Sequence, residues 1–160
     1  TLVLDAEHRI THWNAACEQI IGVPASKMVG TRDQWKAFYP NQRPIMADLV
    51  ITGEMNRIQE LYSNKYRRSK LVHGGYEAED YFPMFDRWLF FTAAPLRDKQ
   101  GRIVGAIETL QDVTDRHLAE ERLLAQQVGA GDVAQQDVTH LLALIGESAA
   151  NTLANWPLRS

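Results

Sequence analysis

The residues with the chemistry to bind or react are mainly carboxylates, and their spacing matches no familiar catalytic motif. The Gly-Glu-Ser at 146–148 lacks the Gly-x-Ser-x-Gly pattern of a nucleophile elbow. No glycine-rich loop followed by Lys-Ser/Thr is present to hold phosphate. The acidic run at 77–80 could bind a hard cation together with Asp48, but without EF-hand spacing a solvated loop is the favoured interpretation. We therefore expect a protein that is not an enzyme and binds no metal.

Composition limits the functional classes further. The chain of 160 residues suffices for one domain of ordinary size and an appendage, and 45% hydrophobic residues suffice for a real core. A net charge of −3 provides no electrostatic surface for nucleic acid. The single cysteine, Cys17, excludes an internal disulfide, and the longest apolar runs are too short to cross a membrane. We expect a cytoplasmic protein without membrane contact in this chain.

Short strands and helices are predicted along the first 110 residues. Residues 1–5 and 10–13 are strand-like, and a helix follows at 15–21. Residues 45–61 carry apolar side chains near helical spacing and predict one longer helix. Strand-like pieces follow between residues 66 and 81. The clearest strands are 88–96 and 103–110, which are joined by a charged turn.

A helix is predicted directly after the last strand, over residues 113–128, where glycines at 129 and 131 end the pattern. Asp112 or Thr114 can accept hydrogen bonds from the free N–H groups of its first turn. Asp112 also stands four residues before Arg116, in the favourable orientation for a helical ion pair. The last strand is therefore expected to continue into a helix with almost no linker.

A second amphipathic helix is predicted over residues 132–156. Its apolar positions, which include Leu142 and Ile145, alternate by four and three, as in a coiled-coil seam. The pattern lasts under three heptads, and such a stripe requires a surface to pack on. The helix is expected either to dimerise or to begin the next domain.

Several short motifs occur in an order that resembles a PAS sensory domain. They are Leu4-Asp5, residues 10–16, Ile21-Gly22, Met28-Val29-Gly30, residues 94–98, residues 101–105 and Asp112-Val113-Thr114. The resemblance implies an α+β fold, in which a five-stranded antiparallel sheet carries short helices on one face and is followed by C-terminal connector helices. It places the sensory domain at residues 1–112, ahead of the connector helix at 113–128.

Strand alternation combined with this resemblance predicts a ligand pocket. Side chains alternate across a strand, so Leu89 and Phe91 share one face. By similarity to flavin-binding PAS domains, that face looks into a pocket between the sheet and the helices. The predicted pocket residues are Trp35, Tyr39, Met46, Leu89, Phe91, Glu108 and Leu110.

Glu108 is the most informative residue of that pocket, because an unpaired buried carboxylate is very costly. In one interpretation Glu108 anchors a small organic ligand inside a mostly apolar cavity. In the other it lies at a solvated strand end or pairs with an arginine such as Arg97.

Established PAS cofactors fit the sequence poorly. Leu89 and Leu110 stand where flavin-binding relatives place polar amides, and the Asn-Cys-Arg motif of those photoreceptors is absent. Haem-binding relatives use a histidine on the long internal helix, and residues 45–61 contain none. We expect no haem or flavin, although a cofactor-bearing redox or gas sensor remains a second alternative.

The opposite face of the same strand predicts an interface. Trp88, Phe90 and Thr92 would be exposed unless covered, either by a second copy of the chain or by the C-terminal helices. We expect a homodimer in which Leu142 and Ile145 also take part.

The resemblance implies a sensory input domain of a bacterial histidine kinase, diguanylate cyclase or similar protein. Asp112, Thr114 and Arg116 would transmit a ligand-driven or dimer-driven change to a downstream output domain. The alternative is a ligand-free dimerisation scaffold.

Overall fold

An antiparallel sheet and five short helices make up residues 1–112 in the computed structural model, which describes residues 1–130 of the chain. Contacts divide the chain into two units, Thr1–Asp112 and Val113–Ser160. The predicted α+β class is confirmed. The predicted helix at 132–156, with Leu142 and Ile145, lies outside the described residues.

The elements of the first unit follow each other in a simple order. They are β1 (Leu2–Asp5), β2 (Ile10–Trp13), α1 (Ala15–Ile21), α2 (Ala25–Met28), α3 (Gln34–Phe38), α4 (Met46–Thr52), α5 (Met55–Leu61), β3 (Tyr66–Arg68), β4 (Tyr76–Phe82), β5 (Arg87–Arg97) and β6 (Ile103–Asp112). The strand order across the sheet is β2-β1-β6-β5-β4-β3. The central strand β6 therefore pairs with β1 on one side and β5 on the other.

The sheet has six strands, one more than predicted. The strand-like pieces between residues 66 and 81 form two antiparallel strands, and Arg68 of β3 pairs with Tyr76 of β4. The chain reverses between them with Gly74 in the left-handed region, at φ 73°. A side chain is strained in that conformation, so the glycine marks a turn.

The helix predicted at 45–61 is divided into α4 and α5. Gly53 ends α4 in the left-handed region, at φ 71°, and its N–H donates to the carbonyl of Leu49. This is the usual glycine termination of a helix, and it outweighs the continuous apolar spacing.

The second unit begins with α6 (Thr114–Ala130), which starts two residues after the end of β6. The helix extends through Gly129 and Ala130, beyond the predicted end, because one glycine costs a helix only about 1 kcal/mol and need not end it. Within residues 1–130, no helix combines the length and apolar character needed to cross a membrane.

Alternation along β5 agrees with the prediction. Leu89, Phe91 and Ala93 are buried, whereas Trp88 and Phe90 are only half-buried. On β6, Glu108 lies directly between Leu2 of β1 and Ala93 of β5 in the register of the sheet. The inner face of the two longest strands therefore surrounds Glu108 with apolar side chains.

Candidate functional site

Glu108 is buried, with 3% of its surface exposed. Its Oε2 accepts a hydrogen bond of 2.8 Å from the backbone N–H of Ala47 in the first turn of α4. That N–H has no partner within its own helix, so the carboxylate satisfies a donor that would otherwise be left unbonded. Glu108 does not lie at a solvated strand end, and Arg97 donates instead to the carbonyl of Gly101.

Burial raises the pKa of Glu108 to about 7. The hydrogen bond from Ala47 opposes this rise because it favours the charged carboxylate, whereas the nearby carboxylate of Asp48 adds to it. Glu108 therefore exchanges its proton near neutral pH, and its charge is coupled to the start of α4.

Asp48, which follows Ala47 in α4, has a different set of hydrogen-bond partners. Its Oδ1 lies 2.7 Å from Nδ1 of His8 and accepts a 2.8 Å hydrogen bond from Nε2 of Gln34. Its Oδ2 accepts from the backbone N–H of Ile45. His8 comes from the β1–β2 turn, so Asp48 joins that turn to α3 and α4.

Aromatic side chains occupy the space between β5 and the helices. The ring of Phe91 lies 5.8 Å from that of Tyr62 and 6.0 Å from that of Phe82, centroid to centroid. The Tyr39 ring lies 6.0 Å from Phe82, and the hydroxyls of Tyr39 and Tyr62 are 3.3 Å apart. Met46 and Leu89 are fully buried beside this cluster. Leu110 is partly buried against it.

Arg43 lies over this aromatic cluster. Its guanidinium carbon is 3.9 Å from the centroid of Tyr39 and 5.1 Å from that of Tyr62, within the range of cation–π attraction. Burial raises the pKa of Tyr39 to about 12, although the nearby Arg43 charge opposes the rise. Both Nε and Nη2 of Arg43 are buried without a hydrogen-bond partner.

Arg43 also lines a cleft of about 350 Å³ beside α4. Its walls come from the β1–β2 turn, α3, α4, α5 and the loops that precede each of these three helices. The lining residues are His8, Arg32, Gln34, Trp35, Gln42, Arg43, Pro44, Asp48, Leu49, Thr52, Glu54 and Arg57. Three arginines face two carboxylates there, and Arg57 pairs with Glu54 at 3.2 Å. The cleft is therefore polar, with a surplus of positive charge.

The structure separates Trp35 from the other predicted pocket residues. Gln34, Ala37 and Phe38 form the buried face of α3, and Trp35 lies one position away from that face. Its side chain consequently lines the cleft, whose walls do not include Phe91 or Glu108. Ligand binding by the predicted pocket residues stays a prediction.

A family model of the PAS fold matches residues 1–118. The chain belongs to the PAS family. The match includes the whole six-stranded sheet and every helix named above as far as the first turn of α6. No curated protein matches the sequence.

Solved PAS structures resemble this PAS domain at low sequence identity. The PAS domain of BvgS from Bordetella pertussis is 17% identical, with 79% of this chain and 84% of that chain covered and a TM-score of 0.44. A PAS domain from Colwellia psychrerythraea is 16% identical, with 71% and 86% covered and a TM-score of 0.42. The PAS domain of the histidine kinase ThkA is 18% identical, with 69% and 95% covered and a TM-score of 0.41.

The predicted transmission residues stand at the junction between the PAS sheet and α6. Asp112 is the last residue of β6, and its Oδ2 lies 2.9 Å from Nη1 of Arg87 at the start of β5. Thr114 is the first residue of α6. Arg116 follows in its first turn, with Nη1 3.8 Å from Oε1 of Glu120. Their role in transmission stays a prediction.

The predicted interface residues on the outer face of β5 are half-buried. Trp88, Phe90 and Thr92 alternate with the buried residues of that strand. The Trp88 ring lies 5.7 Å from that of Tyr81 on β4. A homodimer through this face stays a prediction.

Sequence analysis missed the cleft. The contact between His8 and Asp48 joins residues 40 positions apart, which no local pattern reveals. The acidic run is held by basic neighbours: Oε2 of Glu77 accepts from Arg67 and Oδ1 of Asp80 accepts from Lys65. Among the described residues, no group of three potential metal ligands is present.

Proposed function

We propose that this PAS domain is the sensory input of a signal-transduction protein, such as a histidine kinase or diguanylate cyclase. In this proposal, a small ligand or a dimer rearrangement shifts α4, and β6 passes the shift into α6 and on to an output domain. The observation that carries the proposal is the hydrogen bond between Glu108 of β6 and Ala47 of α4.

Two features of β6 support a role in transmission. It is a central strand, paired with β5 from Ile103 to Asp112 and with β1 from Gly105 to Glu108, and α6 begins two residues after its end. A Cβ on Gly105 would collide with the carbonyl oxygen of Leu4, so β1 and β6 approach each other very closely there. A displacement of β6 therefore moves its neighbours.

A ligand can bias the output only by the difference between its affinities for the two arrangements of sheet and helix. Binding must consequently change a contact that differs between those arrangements. The Glu108–Ala47 bond is such a contact, because a shift of α4 by about 1 Å takes a hydrogen bond outside its normal length. Asp112, Thr114 and Arg116 are the residues we assign to the junction.

Amide hydrogen exchange of the whole chain tests this transmission. Glu108→Ala removes the bond to Ala47, and we expect faster exchange in residues 45–49, in β6 and in the first two turns of α6. Val104→Ala, at an exposed position on the same strand, is the matched control and leaves α6 unchanged. Faster exchange that stops at Asp112 would contradict the proposal.

A ligand-free dimerisation scaffold is the second candidate. It is favoured by the half-buried Trp88 and Phe90 and by exposed leucines on α6, at positions 118, 123 and 124. Trp88→Ala should lower the dimer fraction in sedimentation experiments if this face forms the homodimer. A variant that stays fully dimeric would exclude the interface. For both the sensory input and the dimerisation scaffold, we propose a non-catalytic, cytoplasmic domain.

A further inference from the structure

We propose that the cleft beside α4 binds a small carboxylate that carries a hydrogen-bond donor next to the carboxyl group and an apolar side chain. Such molecules are 2-hydroxy and 2-amino acids. This inference rests on the proposed sensory function and names the class of its ligand. It starts from three buried polar atoms without a partner, Oε1 of Gln34 and Nε and Nη2 of Arg43.

These atoms belong to two residues that line the same cleft. A buried polar atom without a partner costs about 1–3 kcal/mol, and native proteins retain few of them. Gln34 is 3% exposed, so bulk water does not satisfy its carbonyl oxygen. A bound molecule that displaces the side chains covering these atoms and supplies complementary groups would recover this energy.

Arg43 selects for a carboxylate. Its Nε–H and Nη2–H lie on one edge of the planar guanidinium and can donate two parallel hydrogen bonds to the two oxygens of a carboxylate. The cation–π contact with Tyr39 restricts the movement of the guanidinium. Arg32 and Arg57 add positive charge to the same walls, which favours an anion.

Gln34 selects for a donor near that carboxylate. Its Nε2 donates to Oδ1 of Asp48, which identifies the other amide atom as the oxygen. This oxygen accepts hydrogen bonds only, so the ligand must supply a hydroxyl or an ammonium group. A deoxy analogue would leave the oxygen without a partner.

The remaining walls set the size and the apolar part of the ligand. Trp35, Pro44 and Leu49 supply apolar surface, and the volume of about 350 Å³ lies at the lower end of the range for small-ligand sites. An aromatic or branched aliphatic side chain fits these requirements. Phenyllactate is therefore the probe, and phenylpropionate and phenyllactamide are its analogues without the hydroxyl and without the charge.

Isothermal titration calorimetry of the full chain tests the class of ligand. We expect phenyllactate to bind, phenylpropionate to bind at least about tenfold more weakly because Gln34 stays unbonded, and phenyllactamide not to bind. Phenylalanine then distinguishes an ammonium from a hydroxyl donor. If neither phenyllactate nor phenylalanine binds at millimolar concentrations, the inference is wrong.

Variants of the cleft assign the contacts. Arg43→Lys keeps the charge beside Tyr39 but removes the planar donor pair, so phenyllactate affinity should fall at least about tenfold. Arg32→Gln, at an exposed position on the same cleft, should lower phenyllactate affinity by about threefold or less. Gln34→Met should abolish the preference for phenyllactate over phenylpropionate. Equal losses in Arg43→Lys and Arg32→Gln, or an unchanged preference in Gln34→Met, would overturn the assignment.

Hydrogen exchange with phenyllactate bound separates this inference from the proposed function. Binding that leaves exchange in β6 and α6 unchanged would contradict transmission but not the ligand class. Absent binding would overturn the ligand class, while the Glu108→Ala experiment still tests transmission independently.

Discussion

The first turn of α4 separates two regions that differ in almost every property. On one side, Ala47 meets Glu108 within an apolar interior filled by aromatic rings. On the other side, Asp48 contacts His8 and Gln34 in a polar cleft. Two donor nitrogens of Arg43 and the acceptor oxygen of Gln34 have no hydrogen-bond partner there. The interior satisfies its polar groups and the cleft does not. We infer that the interior stabilises the domain and that the cleft serves recognition.

The largest expected effect is a loss of stability when an aromatic side chain of the interior is truncated. Truncating an aromatic side chain of the cleft provides the comparison. Phe91→Ala should lower the free energy of unfolding by about 3–5 kcal/mol, because it leaves a cavity between Tyr62 and Phe82. Trp35→Ala, at the half-buried cleft position, should cost about 1 kcal/mol. Urea unfolding measures both. Equal losses would contradict the division into a stabilising interior and a recognition cleft.

The pH dependence of stability gives the next effect. In the folded chain the pKa of Glu108 is about 7, against an ordinary value of 4.5. The folded state therefore holds a proton that the unfolded state releases between these values. Stability from this group is fully present below pH 4.5, falls as pH rises to about 7 and is then constant, a loss on the order of 3 kcal/mol.

Glu108→Gln should remove this part of the pH dependence. The difference in unfolding free energy between pH 5 and pH 8, measured with urea, should shrink by on the order of 2–3 kcal/mol relative to the unmodified chain. Glu120→Gln, at an exposed carboxylate on α6, is the control and should leave the difference unchanged. A Glu108→Gln variant that retains the full pH dependence would show that the interior carboxylate is already charged.

The fold was predictable because its signals are local. Asn14 caps the predicted helix α1, with Oδ1 accepting from the N–H of Cys17, and Gly22 ends that helix in the left-handed region. Alternation along β5 identified its inner face correctly. Two of the differences, the sixth strand and the division of the helix at Gly53, occur at glycines with a left-handed backbone. There the backbone conformation, not the apolar spacing, decides the structure.

The cleft was not predictable because its residues come from distant parts of the chain. Outside the cleft, the sequence left open whether Glu108 lies in the pocket or at a solvated strand end, because its partner, the N–H of Ala47, is 61 residues away. His8 meets Asp48 only once the sheet and helices have assembled. Arg43 lies in a loop, and the contact of its guanidinium with the Tyr39 ring depends on the tertiary fold.

The smallest expected effect comes from His8, which connects the β1–β2 turn to the cleft. His8 has φ 64°, in the left-handed region, and asparagine tolerates that conformation well. His8→Asn removes the contact with Asp48 while keeping the turn, and since the histidine side chain is 30% exposed, stability should fall by less than about 1 kcal/mol. His12→Asn, on the exposed face of β2, is the matched control for urea unfolding. His8→Asn could instead lower the free energy of unfolding as much as Phe91→Ala does. The cleft side of α4 would then stabilise the fold as strongly as the interior, with Asp48 holding the turn, α3 and α4 together instead of lining a binding site.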